Sequence, residues 1–424
     1  MPFTVDTFFN PYLPVGTNRL DAVVTVTADG ADVATPGGGT VGLILDVSGS
    51  MQGDRIDAVK YATRKAIGML DESTYFFVAA FSNYPTRVFS LAQATPANKA
   101  AADAQVRRLE AGGRTDMSLG LNMALEEFAK RPGGIGYALF LTDGKNDADD
   151  ETALNQALDR SEGVFQCDCR GVGTDWQPKQ LQKISQKLLG TAQIIPDPSG
   201  IEADFHAAIT NALGRAVGDV RLRLWTPKSA RVLACKQMSP EIAVLTDRFA
   251  QVDGQSRDYP TGAWGRESRD YYVAVELTAG DVGDEVLGCR ASIVHGPPGA
   301  ETKVTGAPIV ATWTDDEALS ARINVQVAHY TGQEELASAI QEGLEAREQG
   351  NLDAATSLLG RAAKLAHESG NEDTTRRLAK VVDIVNAGEG TVRLKSKVAK
   401  ADEMDLDLGS TRTSRAGRRP EGGA

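Results

Sequence analysis

The chain has 424 residues, 42% hydrophobic and 24% charged, with 57 Asp and Glu against 45 Lys and Arg for a net charge of −12. That balance belongs to a globular protein of two or three domains and excludes global disorder, and the acidic surplus argues against nucleic acid, which is held through Lys and Arg on phosphates. The longest unbroken apolar run, Tyr75 to Phe81, is far short of the roughly 20 residues of a membrane span; with no Lys or Arg before Arg19, no long apolar leader and only four Cys, we expect no secretory signal and a reducing, cytoplasmic location.

In chain order, residues 1–38 contain one β-like run, Ala22 to Thr27, followed by the breaker cluster Thr35-Pro36-Gly37-Gly38-Gly39. Residues 39–216 alternate short apolar β-rich runs with helical patterns. The runs are Val41 to Leu45, Tyr75 to Phe81, Tyr137 to Leu141, Val164 to Gly173 and Gln193 to Ile195. The helical patterns are Arg55 to Leu70, Pro178 to Leu189 and Ile201 to Leu213, and Thr95-Pro96 reads as an N-cap with Pro at the first helical position. This alternation predicts an α/β domain with a doubly wound, mostly parallel sheet, Rossmann-like in its winding.

From 217 to 332 period-2 patterns take over. Val220, Leu222 and Leu224 alternate with Arg221, Arg223 and Trp225, and Ile323, Val325 and Val327 alternate with Asn324 and Gln326. With further runs at Arg231 to Cys235, Tyr271 to Leu277, Val286 to Val294 and Ile309 to Trp313, they predict a small β-sandwich. The N-terminal run would add a strand to it, so that the α/β domain is inserted in the sandwich. Residues 333–390 turn helical through Gln333 to Gln349, Leu352 to His367 and Thr374 to Ile384, with stops at Gly350-Asn351 and Gly370-Asn371, as in a helical hairpin or bundle. Residues 391–424 carry a net charge of +3 and read as a flexible basic tail whose end, Gly409 to Ala424, is expected to be disordered.

The strongest chemical feature is Asp46-Val47-Ser48-Gly49-Ser50, placed directly after a strand and before a helix, where open α/β sheets bind ligands. A carboxylate and two alternate hydroxyls can converge on one point, and hard cations such as Mg2+ take oxygens at about 2.1 Å in an octahedron. Thr115, in Gly112-Gly113-Arg114-Thr115-Asp116, can bring another hydroxyl, and Asp143, in Thr142-Asp143-Gly144, a second carboxylate from the end of the Tyr137 to Leu141 strand.

With these three segments the chain resembles a von Willebrand factor A domain carrying a metal-ion-dependent adhesion site. The resemblance covers about 39–216, and the sandwich and helical region resemble those attached to bacterial intracellular members. It implies one Mg2+ or Mn2+, with Ser48, Ser50 and Thr115 in direct contact and Asp46 and Asp143 acting largely through waters. Three neutral hydroxyls would leave the ion most of its charge, so its open position should attract an Asp or Glu carboxylate from a partner protein. The function expected is a metal-dependent protein-binding module, a scaffold or regulatory subunit of an intracellular complex.

The alternative is an enzyme using the same Mg2+ for phosphoryl-transfer or hydrolytic chemistry, for which Asp116 and Lys145 are the nearest candidate groups. Gly37 to Gly42 fits GxGxxG but precedes a strand, so it reads as a linker, and neither GxxxxGK[ST] nor HExxH nor GxSxG occurs. Cys167 and Cys169 read as buried thiols rather than zinc ligands, and the run Asp147, Asp149, Asp150 and Glu151 as a solvent-facing helix cap. Thr411, Thr413 and Ser414, set among Arg residues, are candidate phosphorylation sites for a phosphopeptide-binding partner.

Overall fold

The computed structural model describes residues 3–29, 38–132, 135–296, 299–413 and 415. Its contacts separate two units: Gly30–Asp219 with Gly262–Arg266, and Met1–Asp29 with Val220–Thr261 and Glu267–Ala424.

The first unit is the expected α/β layer. Thr40–Asp46 is buried at all seven positions, as a central parallel strand must be when helices cover both faces. It pairs in parallel with Tyr75–Phe81 on one side and with Gly136–Thr142 on the other, and the sheet continues through Gln166–Val172 to Ala192–Ile195. An antiparallel strand, Pro85–Gln93, which the sequence patterns do not reveal, closes the other edge. Numbered along the chain the strand order is 3-2-1-4-5-6, so the winding reverses between Thr40–Asp46 and Gly136–Thr142. Ligands bind at that crevice in doubly wound sheets. Helices Asp54–Met69, Pro96–Val106 and Ile201–Leu213 pack Val59, Ala62, Ala102 and Phe205 onto Leu43, Leu45 and Leu139. Met117–Ala129 covers the opposite face, where Phe128 meets Phe77 edge-on at 5.0 Å. Thr95 does cap its helix, its hydroxyl accepting from Asn98 N at 3.3 Å.

In the second unit the N-terminal region supplies three strands rather than one, Phe3–Phe9, Tyr12–Pro14 and Arg19–Ala28. Arg19–Ala28 pairs with Glu267–Leu277, so the chain leaves this sheet for the α/β unit and returns to it. Two sheets form, one ordered from Phe3–Phe9 to Ala243–Val244 and one from Ala250–Gln251 to Tyr12–Pro14. The helical region belongs to the same unit, so the boundary near 332 is not a boundary between compact bodies.

Three expectations are corrected here. Ile323, Val325 and Val327 are not a strand: Asn324 accepts from the amides of Gln326 and Val327 and starts the helix Val325–Glu348, leaving Ile323 and Val325 exposed while Val327 packs near Val23 and Tyr330. The helix expected to reach Ile384 ends at Val381, and Val382–Asn386 forms a hairpin with Thr391–Leu394, because Val382 and Val392 enter a core built by Ile340, Leu359 and Leu378 from three helices. The tail from 391 is structured as far as it is described: helix Lys400–Ser410 buries Met404, Leu406 and Leu408, an apolar i, i+2, i+4 set that its charges obscure in the sequence. Ser414 and residues 416–424, like residues 35–37 of the breaker cluster, lie outside the described residues.

Candidate metal centre

Asp46 is the last residue of its strand and Thr142 the last of the neighbouring one, which brings both to the crevice where the winding reverses. The Asp46 carboxylate accepts from Ser48 N at 2.7 Å through Oδ1 and from the Thr142 hydroxyl at 2.5 Å through Oδ2. These bonds turn the chain into the short 3-10 turn Gly49–Met51, with Ser48 Oγ and Ser50 Oγ 3.0 Å apart. Ser50 Oγ then donates to Asp143 Oδ1 at 2.6 Å.

The Thr115 loop is pinned to this turn by main chain, with Gly49 N on Gly113 O at 2.9 Å and Gly112 N on Val47 O at 2.7 Å. Gly113 adopts φ +88, and a Cβ there would stand 2.0 Å from Asn83 Oδ1, so only glycine fits the approach. Asp147 N donates to Thr115 O at 2.8 Å and ties in the third loop. At Gly144 a Cβ would lie 2.9 Å from Thr115 Oγ1 and 3.5 Å from Ser50 Oγ. One small volume, kept clear by the lack of a side chain at 144, is thus bordered by hydroxyls from two loops.

Asp46 and Asp143 are fully buried, whereas Ser50 reaches solvent. Burial pushes the Asp46 carboxyl up to about 6, against the opposing hydrogen bonds from Thr142 and Ser48. Asp143 is neutralised by Arg55, whose Nη1 lies 2.5 Å from its Oδ2 while Nη2 reaches Asp175 at 3.2 Å. The hydrogen bond to Asp143 raises the Arg55 guanidinium above its ordinary value. Burial, reinforced by repulsion from Asp150, raises Asp116.

All five residues singled out in the sequence, Asp46, Ser48, Ser50, Thr115 and Asp143, therefore come together on one rim. Sequence reasoning misses Arg55 and Thr142: Arg55 reads only as one charge on a helix, and Thr142 only as the end of a strand. Lys145 is exposed on the third loop and Asp116 sits at the N-terminus of helix Met117–Ala129. The solvent-facing cap expected at Asp147 to Glu151 is corrected at Asp150, which is buried and accepts from the Ser118 amide, at 2.9 Å, and from the Ser118 hydroxyl. Cys167 and Cys169 are buried in one strand, and burial holds the Cys167 thiol well above its usual range.

The donor set at the rim is all oxygen, three hydroxyls and two carboxylates, which suits a hard divalent cation. Among the described residues no cluster of three or more His, Cys, Asp or Glu is placed to hold a metal. Nor is any described helix long and apolar enough to cross a membrane.

Comparison with known proteins places the family of von Willebrand factor type A domains on residues 39–194 and that of von Willebrand factor type A C-terminal domains on residues 364–410. A solved structure described as von Willebrand factor type A from Catenulispora acidiphila is 42% identical, with a TM-score of 0.92 over 98% of this chain and 97% of that one. The ArnB paralog VWA2 from Sulfolobus acidocaldarius, 14% identical with a TM-score of 0.64 over 97% and 98% of the two chains, shares the fold. Among curated proteins, an uncharacterized protein of Synechocystis sp. is 28% identical over 238 residues, 55% of this chain and 56% of its own length. Inter-alpha-trypsin inhibitor heavy chain H1 of Mesocricetus auratus is 29% identical over 42% of this chain and 21% of its own length. The chain thus spans about half of the first curated relative and a fifth of the second.

Proposed function

Because the chain belongs to the von Willebrand factor type A family, whose domains are protein-interaction modules, we propose that its rim is a metal-ion-dependent adhesion site through which it binds a partner protein. The observation that carries this reading is the convergence of Ser48, Ser50 and Thr115 hydroxyls with the buried Asp46 and Asp143 carboxylates around the space left by Gly144. Bound Mg2+ or Mn2+ would supply a Lewis-acidic position for a carboxylate oxygen of an Asp or Glu on the partner. Ser48, Ser50 and Thr115 would hold the ion; Asp46 orients the Ser48 turn, and Asp143 fixes Ser50.

The role is that of a non-enzymatic scaffold or regulatory subunit of a bacterial intracellular complex, with no nucleic-acid ligand. Four buried, free cysteines suit a reducing cytoplasm. Thr411 and Thr413 remain our proposed docking points for a phosphopeptide-binding partner. The Thr413 hydroxyl donates to Met238 O and that of Thr411 to Leu408 O, so modification needs this segment lifted first.

Calorimetric titration of Mg2+ and Mn2+ tests the reading. Asp46→Ala, Ser48→Ala and Thr115→Ala should each weaken binding by about tenfold or more, the scale seen when a metal's ligands or their supports are removed. A partner captured in Mg2+ should be released by EDTA and absent with Thr115→Ala. Wild-type metal affinity in all three variants refutes the site.

A further inference from the structure

Far along the chain from the metal rim, the last described residues are held as a ligand is held. Thr411 to Thr413 run antiparallel to the segment Pro240 to Ile242: Ile242 N donates to Thr411 O at 2.8 Å, Thr413 N donates to Pro240 O at 3.1 Å, and Arg412 bridges Glu241. The Arg412 guanidinium adds a contact to Glu241 Oε1 at 3.3 Å, and the Thr413 hydroxyl donates to Met238 O. Two residues on, Arg415 closes a two-point contact with Asp270, Nε to Oδ2 at 3.0 Å and Nη2 to Oδ1 at 3.4 Å.

The receptor for that guanidinium is built independently of its occupant. Asp270 is 3% exposed on the Glu267–Leu277 strand. Its Oδ1 accepts from the Thr25 hydroxyl at 2.5 Å and its Oδ2 from the buried Tyr330 hydroxyl, which sits on the helix Val325–Glu348. The Arg415 side chain, by contrast, is 45% exposed. A buried carboxylate with two fixed hydroxyl donors and a half-exposed cation laid over it is an asymmetric pair. Withdrawing the arginine leaves a charge in the interior without a counterion, which is costly, whereas the arginine itself returns to water at little cost. Main-chain pairing to an edge segment together with one side chain in a specific seat is the chemistry of extended-peptide recognition by strand addition.

We propose that Asp270, Thr25 and Tyr330 with the segment Met238–Ile242 form a peptide-binding site for an extended basic segment carrying an arginine two residues beyond its last main-chain hydrogen bond, and that Thr411, Arg412, Thr413 and Arg415 occupy it as an exchangeable ligand of the same chain. The charge order fits: the body of the chain is acidic, and residues 391–424 are net +3.

The test uses the full chain carrying Arg415→Ala, a change at a half-exposed position, and reads amide hydrogen exchange at Ile242 and Thr413. Loss of a charge-assisted pair should speed exchange at both amides by about tenfold or more while circular dichroism keeps the wild-type fold and the melting temperature falls, because Asp270 loses its counterion. A synthetic peptide with the sequence of residues 409–417 should then bind the Arg415→Ala chain and restore protection at Ile242. The same peptide with its second arginine replaced by alanine should not bind, and Arg415→Lys should recover only part of the protection because lysine cannot make the two-point contact. Asp270→Asn should abolish peptide binding; if that variant does not fold, the paired peptides on Arg415→Ala still decide. Wild-type protection at Ile242 in Arg415→Ala, or equal binding of the two peptides, overturns the proposal.

Discussion

Arg55 sets a fixed positive charge against Asp143, one of the two carboxylates of the rim. A guanidinium there competes with a divalent ion for the same negative charge, and at short range a unit charge repels such an ion by about 1 kcal/mol or more even in water. Arg55→Gln should therefore tighten Mg2+ binding by about tenfold, read by titration calorimetry at constant ionic strength. A fall in affinity would mean instead that Arg55 serves chiefly to hold Asp143 in place. At this scale the sequence is legible where ligand and strand end are contiguous: Asp46 to Ser50 and Thr142 to Gly144 each extend a strand, so their convergence follows from the sheet. Arg55 is legible only in the fold, because nothing in a helical charge pattern tells which charge turns inward. The same holds for Asp150, whose acidic run looks like a solvated cap until Ser118 is brought to it on the first turn of helix Met117–Ala129.

The edge strand Pro85–Gln93 escapes a reading of the sequence because its residues are exposed or half-buried, without the alternation that marks a strand with one face in the core. What holds it is a carboxylate. Glu127, buried on helix Met117–Ala129, accepts from Leu91 N at 2.7 Å, Arg87 Nε at 2.5 Å and Lys130 Nζ at 2.5 Å. Burial alone would raise its pKa, but the bonds from Lys130, Leu91 and Arg87 outweigh it and hold the carboxyl below its ordinary 4.5. The sign follows from that depression: the stabilisation is present above pH 4.5 and is lost as pH falls through the lower value of the folded state. Glu127→Gln should cost about 1–3 kcal/mol at pH 7, and the gap to wild type should narrow below about pH 4.5. Urea unfolding at about pH 7, 5 and 4 measures it; a gap that stays constant removes the charged clamp from the account. Helices are more legible than strands and tails because a cap such as Thr95 sits next to the turn it starts; Asn351 and Asn371, read in the sequence as stops, in fact cap the helices that follow them. The Val382 to Leu394 hairpin is hidden because its core contacts come from helices distant in sequence.

For the whole molecule, the insertion of one unit into another is visible in the change from alternating α/β runs to period-2 runs near residue 217, with a β-like run already present before the breaker at 35–39. Each unit has its own apolar core: Leu43, Leu45 and Leu139 with their covering helices in one, and Val23, Met238, Tyr272 and Tyr330 in the other. Independent cores make independent melting the expectation, since cooperativity extends only as far as shared burial. The rim belongs wholly to the α/β unit, so a bound ion can stabilise that unit alone. In calorimetry, metal-free protein should show two transitions, and Mg2+ at about a hundred times its Kd should lift only one. The lift is about 2.7 kcal/mol by mass action, or roughly 5–10 °C for a unit of this size. Thr115→Ala should abolish the shift while both transitions remain. The same experiment separates the two sites argued above, because Arg415→Ala should leave the metal-dependent shift intact. If Mg2+ moved both transitions together, binding at the rim would be coupled to the sandwich and helical unit, and the assignment of one function to each unit would fail.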